Sequence, residues 1–322
     1  MPETPADTNV IEVNYPKVKY SKRILAFLFD LLCIGVLSSL LLLGTRGIAE
    51  RQPIYVESLE TREELQGASR LYVKNSDNEF DLITDYYAEN TDYLEVNGEC
   101  EAALVAFYAN PLFFDQGDPA SGLALYNSQK IGETAIPGDY FVYSGSEMQT
   151  IVPNPEYDAE KMNKFYIIAI EDVAYSYLNA NPDYYEASRI ILLFSNFFIL
   201  PVSVILSLIV FELVIPLIFS RGKQTLGRRI FHIGLVTNHA LSPRAGRYLA
   251  KFAIFLFVEV IASLFTLGIP VLFTVSMFFF SKNNQTFADY MLGIYSVDIE
   301  TNMVYTSLED YEDRHTNASF NL

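Results

Sequence analysis

Three apolar runs, each carrying a single acidic residue, limit what this chain can fold into. Residues 24–44 are uncharged except for Asp30, residues 190–220 except for Glu212, and residues 252–281 except for Glu259. At helical rise, a run of about 20 residues spans roughly 30 Å, the thickness of a bilayer's hydrocarbon core. A globular core does not supply three such runs in a chain of 322 residues, so the chain reads as an integral membrane protein. The first run exceeds the h-region of a signal peptide and is expected to stay as an uncleaved anchor.

Basic residues set the expected orientation. Lys17, Lys19, Lys22 and Arg23 precede the first run, and Arg221, Lys223, Arg228, Arg229, Arg244, Arg247 and Lys251 lie between the second and third, with no acid among them. Both segments should face the cytoplasm. Residues 46–188 then lie outside, where 8 Lys and Arg stand against 26 Asp and Glu. That excess of acid accounts for the chain's net charge of −17, so the acidity belongs to one exported segment and no nucleic-acid partner is expected.

At this length the exported segment can hold its own core, without a disulfide between Cys33 and Cys100. "PIYVES" (Pro53–Ser58) and "GDYFVYSG" (Gly138–Gly145) have strand composition, and Asp158–Asn179 has helical periodicity. Asn181-Pro182 reads as an N-cap followed by proline in the first helical turn, opening a helix that runs on into the second apolar stretch. The segment's fifteen tyrosines either fill a core and its rim or form a stacking face for carbohydrate. "FFDQGDP" (Phe113–Pro119) reads as a turn, since it lacks the ligand count of a calcium loop. No internal repeat is evident.

The third run is longer than one span needs, and "LGIP" (Leu267–Pro270) interrupts it with a glycine and a proline. A hairpin of two short helices, 252–266 and 269–281, is favoured over a single span. The fold class is therefore an α-helical membrane protein of three to four membrane segments with an inserted extracytoplasmic α+β domain. Its parts are a disordered cytoplasmic N-terminus (1–19), a first membrane helix (20–45), the acidic exterior domain (46–188), the remaining membrane part (189–298) and an acidic tail (299–322).

Counted from the nearest cytoplasmic basic residue, Asp30, Glu212 and Glu259 all sit roughly 10 to 14 Å into the membrane. An unpaired carboxylate at that depth costs several kcal/mol, so each marks a functional site by default. Packed together, the three carboxylates would share one cavity able to hold protons or a cation. The alternative is structural: Asp30 pins its helix through hydrogen bonds or pairs with Arg23, two turns away on the same face.

Four motifs then carry a resemblance. "RILAFLFD" places Arg23, Ala26 and Asp30, "GKQTLGRR" places Gly222, Thr225, Gly227 and Arg228, "SPRAGRYLAKF" places Arg247, and "NNQTFADYMLGIYSVD" places Gln285, Thr286, Asp289 and Gly293. In that order they resemble the RDD family of membrane proteins, with departures at Ala288, where a histidine is common, and Ile294, where a threonine is common. The resemblance implies a bacterial cytoplasmic membrane and raises transport of monovalent cations or protons; it does not cover the exterior domain. "GKQTLG" lacks the ending of a P-loop and follows a span where a P-loop needs a strand. It reads as a tight turn, with Gly222 and Gly227 allowing close packing and its basic residues facing anionic lipid. His232, His239 and His315 have no metal-ligand spacing, so no metal, cofactor or enzymatic activity is expected. Two readings stay open: an ion or proton pathway through Asp30, Glu212, Glu259 and Arg23, or a non-transporting scaffold or sensor whose exterior domain binds a partner. A homo-oligomer fits either.

Overall fold

The computed structural model describes residues 15–114, 119–132, 135–144, 150–281, 283–300 and 303–319. The fold is mostly helical, with three helices long and apolar enough to cross a membrane: Tyr20–Ala49, Pro182–Ile218 and Ala245–Phe265. Three small antiparallel sheets of two strands each complete it among the described residues. The chain divides into two compact units, one of residues 1–46 and 199–322, the other of residues 47–198.

The helical unit formed by the chain's two ends is built on a joint between helices and short loop segments. The third apolar run breaks at Thr266–Gly268, where Leu267 (φ 52°) and Gly268 (φ 83°) take left-handed backbone. A second helix, Ile269–Phe280, starts with Pro270 in its first turn and packs back against the π-helical segment Phe255–Ile261, the hairpin that the glycine and proline predict. Inside the bundle, Ile34, Leu208, Phe252 and Leu256 form an apolar cluster. The Thr45 hydroxyl meets that of Ser203 at 2.8 Å and donates to the Ile199 carbonyl at 3.2 Å, small polar contacts of the kind that hold helices together in lipid.

The unit contains an internal repeat that the sequence does not advertise. Residues 224–237 and 285–298 have the same structure position by position. Gln224 and Gln285 each donate a side-chain N–H to a strand-opening carbonyl, that of Ile233 at 2.9 Å and of Ile294 at 2.8 Å. Thr225 and Thr286 each cap a five-residue helix, Leu226–Ile230 and Phe287–Met291. His232 (φ 54°) and Gly293 (φ 59°) each turn the chain into a strand through left-handed backbone. The strands Ile233–Thr237 and Ile294–Asp298 then pair antiparallel, with Ile233 opposite Asp298 and Thr237 opposite Ile294. Leu235 faces Ser296, its own counterpart, so a local two-fold axis passes between them. Each half thus runs helix, returning helix, Gln-Thr segment and strand. Between its two helices the second half has the turn Thr266–Gly268, whereas the first has the whole of residues 47–198.

The chain termini join this sheet. Asp298 N–H donates to the Pro16 carbonyl at 2.9 Å, and Lys17 bridges to Val297. Residues 15–19 are therefore tied to a strand, against the expected disorder of 1–19, because a strand edge supplies backbone partners that composition does not reveal; residues 1–14 lie outside the described residues. In the tail, Val304 is buried and Tyr305 bridges to Leu241.

The unit of residues 47–198 has its own core of Leu104, Phe107, Phe165, Ile170 and Leu178, all fully buried. The sheets Tyr72–Lys74 with Phe80–Leu82 and Phe141–Ser144 with Thr150–Pro153 flank it, the second on the expected "FVYS". Asp158 caps the helical run beginning at Ala159, and Asn181 accepts from the N–H groups of Asp183 and Tyr184 at 3.1 Å, as the sequence predicts. "PIYVES" is not a strand: it opens the helix Pro53–Ser69. Proline at the first turn and the following "LETREELQ" favour helix more than three β-propensity residues oppose it. Most of the predicted turn at Phe113–Pro119 falls on 115–118, outside the described residues. Several tyrosines fill the core. Tyr108 stacks on Tyr126, whose hydroxyl donates to Glu101 at 2.7 Å while Lys130 pairs with the same carboxylate.

Cys100 is buried in this core, and burial pushes its thiol up to about 12. Only the thiolate reacts with alkylating reagents. In a Cys33→Ser background, Cys100 is expected to resist iodoacetamide at pH 8 until the protein is denatured. Rapid labelling of the native protein would contradict this packing.

Candidate functional site

The site begins at the Asp30 carboxylate, which is 3% exposed. Its Oδ2 accepts from the Thr225 hydroxyl at 2.5 Å and its Oδ1 from the Gly227 N–H at 2.8 Å. Hydrogen bonds to a charged group contribute about 1.5–3 kcal/mol each, so two of them offset the several kcal/mol of burying the charge. Gly227 is required by close approach: a Cβ there would lie 2.1 Å from the Ala26 carbonyl oxygen. Ala26 is itself buried, so the first helix and the "GKQTLG" loop meet backbone to backbone. Gly227 thus provides the close packing expected of it by fitting against the first helix.

Arg23 does not pair with Asp30. Its guanidinium donates to the Asn284 carbonyl and lies 4.5 Å from the Phe278 ring centroid, so it ties the first helix to the second half of the repeat. The counterpart of the Asp30 joint is Glu259, 6% exposed, whose Oε1 accepts from the Ala288 N–H at 3.2 Å. Ala288 occupies the repeat position of Gly227, so each half docks a backbone N–H onto a carboxylate of its preceding helix.

Two ion pairs complete the arrangement. Lys251, one turn beyond Arg247, is buried and pairs with Asp289. Burial opposes ionisation of Asp289, but Lys251, with Arg228 and Arg23 beyond it, holds its carboxyl below the usual carboxylate range. Arg228 Nη2 lies 3.8 Å from Glu212, and the Tyr248 hydroxyl donates to the Glu212 carbonyl at 3.0 Å. Glu212 and Glu259 both lie in π-helical segments, Ile209–Val214 and Phe255–Ile261. Such widened turns are frequent at functional sites.

These side chains surround one cavity of about 380 Å³. It brings together Asp30, Glu212 and Glu259, the three acids of similar expected depth, with Asp289, and it also receives Arg23, Arg228 and Lys251. The rest of its wall is largely apolar and aromatic, including Phe252, Phe255, Phe278 and Phe279. Of the other motif residues, Gly222 and Gly293 take left-handed backbone, Gln285 and Thr286 shape the second loop, and Arg247 is exposed. No group of three or more His, Cys, Asp or Glu residues with metal-binding geometry occurs among the described residues.

The RDD family model matches residues 166–293. The chain carries an RDD family domain. The matched range holds Gly222, Thr225, Gly227, Arg247, Gln285, Thr286, Asp289 and Gly293. Arg23, Ala26 and Asp30 precede it and are tied to the RDD domain by the Asp30 bonds to Thr225 and Gly227. No curated protein and no solved structure matches the chain. Lys251 is the residue that sequence reasoning leaves out, since it reads as one more cytoplasmic base. The one signal available is spacing: it lies two turns before Glu259, as Arg23 lies two turns before Asp30.

Asp30→Asn turns one acceptor oxygen into a donor facing another donor. It is expected to destabilise the protein by about 3 kcal/mol, read as a lower Tm in detergent. Gly227→Ala should do the same through its clash, whereas Gly246→Ala, with open space around it, should leave the Tm unchanged or raised. Equal behaviour of the two alanine variants would contradict the joint.

Proposed function

We propose that the RDD domain moves a monovalent cation or a proton across the membrane through this cavity. One observation carries the reading: four carboxylates and three cations line the same cavity. With all seven ionised, one negative charge is unbalanced in surroundings where an uncompensated charge is expensive. A single positive charge, whether a proton or a monovalent cation, balances it at least cost. Asp30 is engaged by two donors, Glu212 lies beside Arg228, and Asp289 pairs with Lys251. Glu259, which has no ion pair with a described residue, is the carboxylate left to take that charge. The pathway residues are thus Glu259 first, with Glu212, Asp289 and their cations around it. Asp30 and Arg23 hold the walls.

The N-terminal segment, the loop between the second and third spans, and the chain after the hairpin share one sheet. The positive-inside rule assigns that basic end to the cytoplasm and residues 46–188 to the exterior of a cell membrane. The scaffold or sensor reading is favoured by the separate core of that acidic unit, which is compact in its own right. A homo-oligomer and bound membrane lipid accompany either reading.

The discriminating experiment is cation-driven pH change in everted membrane vesicles, comparing the wild type with Glu259→Gln at matched expression. Flux in the wild type that falls at least tenfold in Glu259→Gln is expected. No flux above an empty-vector control, with sodium, potassium or lithium, would move the function to the exterior unit.

A further inference from the structure

The two halves of the repeat differ in how completely they satisfy their carboxylate. In the first, both oxygens of Asp30 take donors, and the Thr225 hydroxyl is spent on one of them. In the second, Glu259 accepts from the Ala288 N–H with only the Thr274 hydroxyl close by, and Thr286, the counterpart of Thr225, accepts from Asp289 N–H and donates to no described residue. Across the cavity, Thr274 is 9% exposed and its hydroxyl stands near Glu259 without a hydrogen bond of ordinary geometry. A buried polar atom without a partner calls for an explanation, and inside a cavity a bound group can supply it. Thr274 and Thr286 both line the cavity beside Glu259.

Volume and wall chemistry then narrow the ligand. A water molecule takes about 30 Å³, so a bare inorganic ion would leave nearly all of a cavity of about 380 Å³ to be filled by water against apolar walls. A body with its own apolar surface fills that space without this cost, and a cation gains further from aromatic faces. From the unpartnered Thr274 hydroxyl and the unpaired Glu259 carboxylate in this aromatic cavity, we propose that the cavity binds a primary organic ammonium with an apolar body. The nitrogen donates to Glu259 and Thr274, and the body packs against Phe252, Phe255 and Phe278. The inference rests on the reading that the cavity holds one positive charge, and it names the class of cation. The same ammonium chemistry is offered by a free amine and by the headgroup of an aminophospholipid.

The test is thermal stabilisation of the full chain in nanodiscs free of aminophospholipid, with 2-phenylethylammonium chloride as the probe. The neutral 2-phenylethanol and the chlorides of sodium, lithium and potassium are the comparisons. A saturable rise in Tm with the ammonium and not with the alcohol is expected, weakened at least tenfold in midpoint concentration by Thr274→Val and by Glu259→Gln. Thr274→Val changes no bond that holds the fold, so it remains informative if Glu259→Gln is poorly folded. Loss of the response when phosphatidylethanolamine is added to the discs identifies the lipid headgroup as the source; its persistence identifies a free amine. Stabilisation by sodium or lithium alone would overturn the organic class and leave the ion reading standing. An ammonium response unchanged by Thr274→Val would overturn the site. If no cation stabilises the protein and the vesicles show no flux, both readings fall; ammonium binding without flux supports the site and removes transport.

Discussion

The joint between Asp30 and the Thr225–Gly227 segment is the contact on which the rest of the helical unit depends. A carboxylate placed among apolar helices must receive its donors from the protein, because lipid offers none. Here one donor is a backbone N–H that only close backbone contact can deliver, and Gly227 is the residue that permits it. Bringing that loop onto the first helix fixes the start of the strand Ile233–Thr237. The partner strand is delivered in the same way, by Ala288 on Glu259. One device used twice, about a local two-fold axis, therefore sets the sheet, the helix pairs and the space between them.

That space concentrates charge at a cost that pairing only partly offsets. Replacing buried ion pairs with apolar residues is often neutral for stability, so seven ionisable groups around one cavity are poorly explained by folding alone. The pairs Lys251–Asp289 and Arg228–Glu212 neutralise most of the field, and the widened helical turns at Glu212 and Glu259 turn both carboxylates toward the interior. The remainder is a single acid without an ion pair among the described residues, Glu259, with the Thr274 hydroxyl near it. The proposed passage of one positive charge rests on that remainder.

Much of this was legible in the sequence where a local signal is strong. The apolar runs, the proline and glycine at the hairpin and the Asn181 cap each follow from residue type and spacing. The strand expected at Pro53–Ser58 fails because six residues of β composition lie inside a longer segment of good helix formers. The repeat stays hidden because its halves share only Gln, Thr, Ile and Val at four of fourteen positions. What they have in common is backbone, a capped turn and a left-handed residue, satisfied by His232 in one and Gly293 in the other. Lys251 and Asp289 lie 38 positions apart, and no periodicity links them.

The most direct measurement is a double-mutant cycle on Lys251 and Asp289, using Lys251→Met and Asp289→Asn and reading stability of the full chain in detergent. If the buried charges compensate one another around a shared cavity, each single variant loses stability and the pair loses less than the sum, with a coupling of about 2 kcal/mol or more. Effects that add within about 0.5 kcal/mol would show that the two charges do not meet, and the arrangement described here would be wrong.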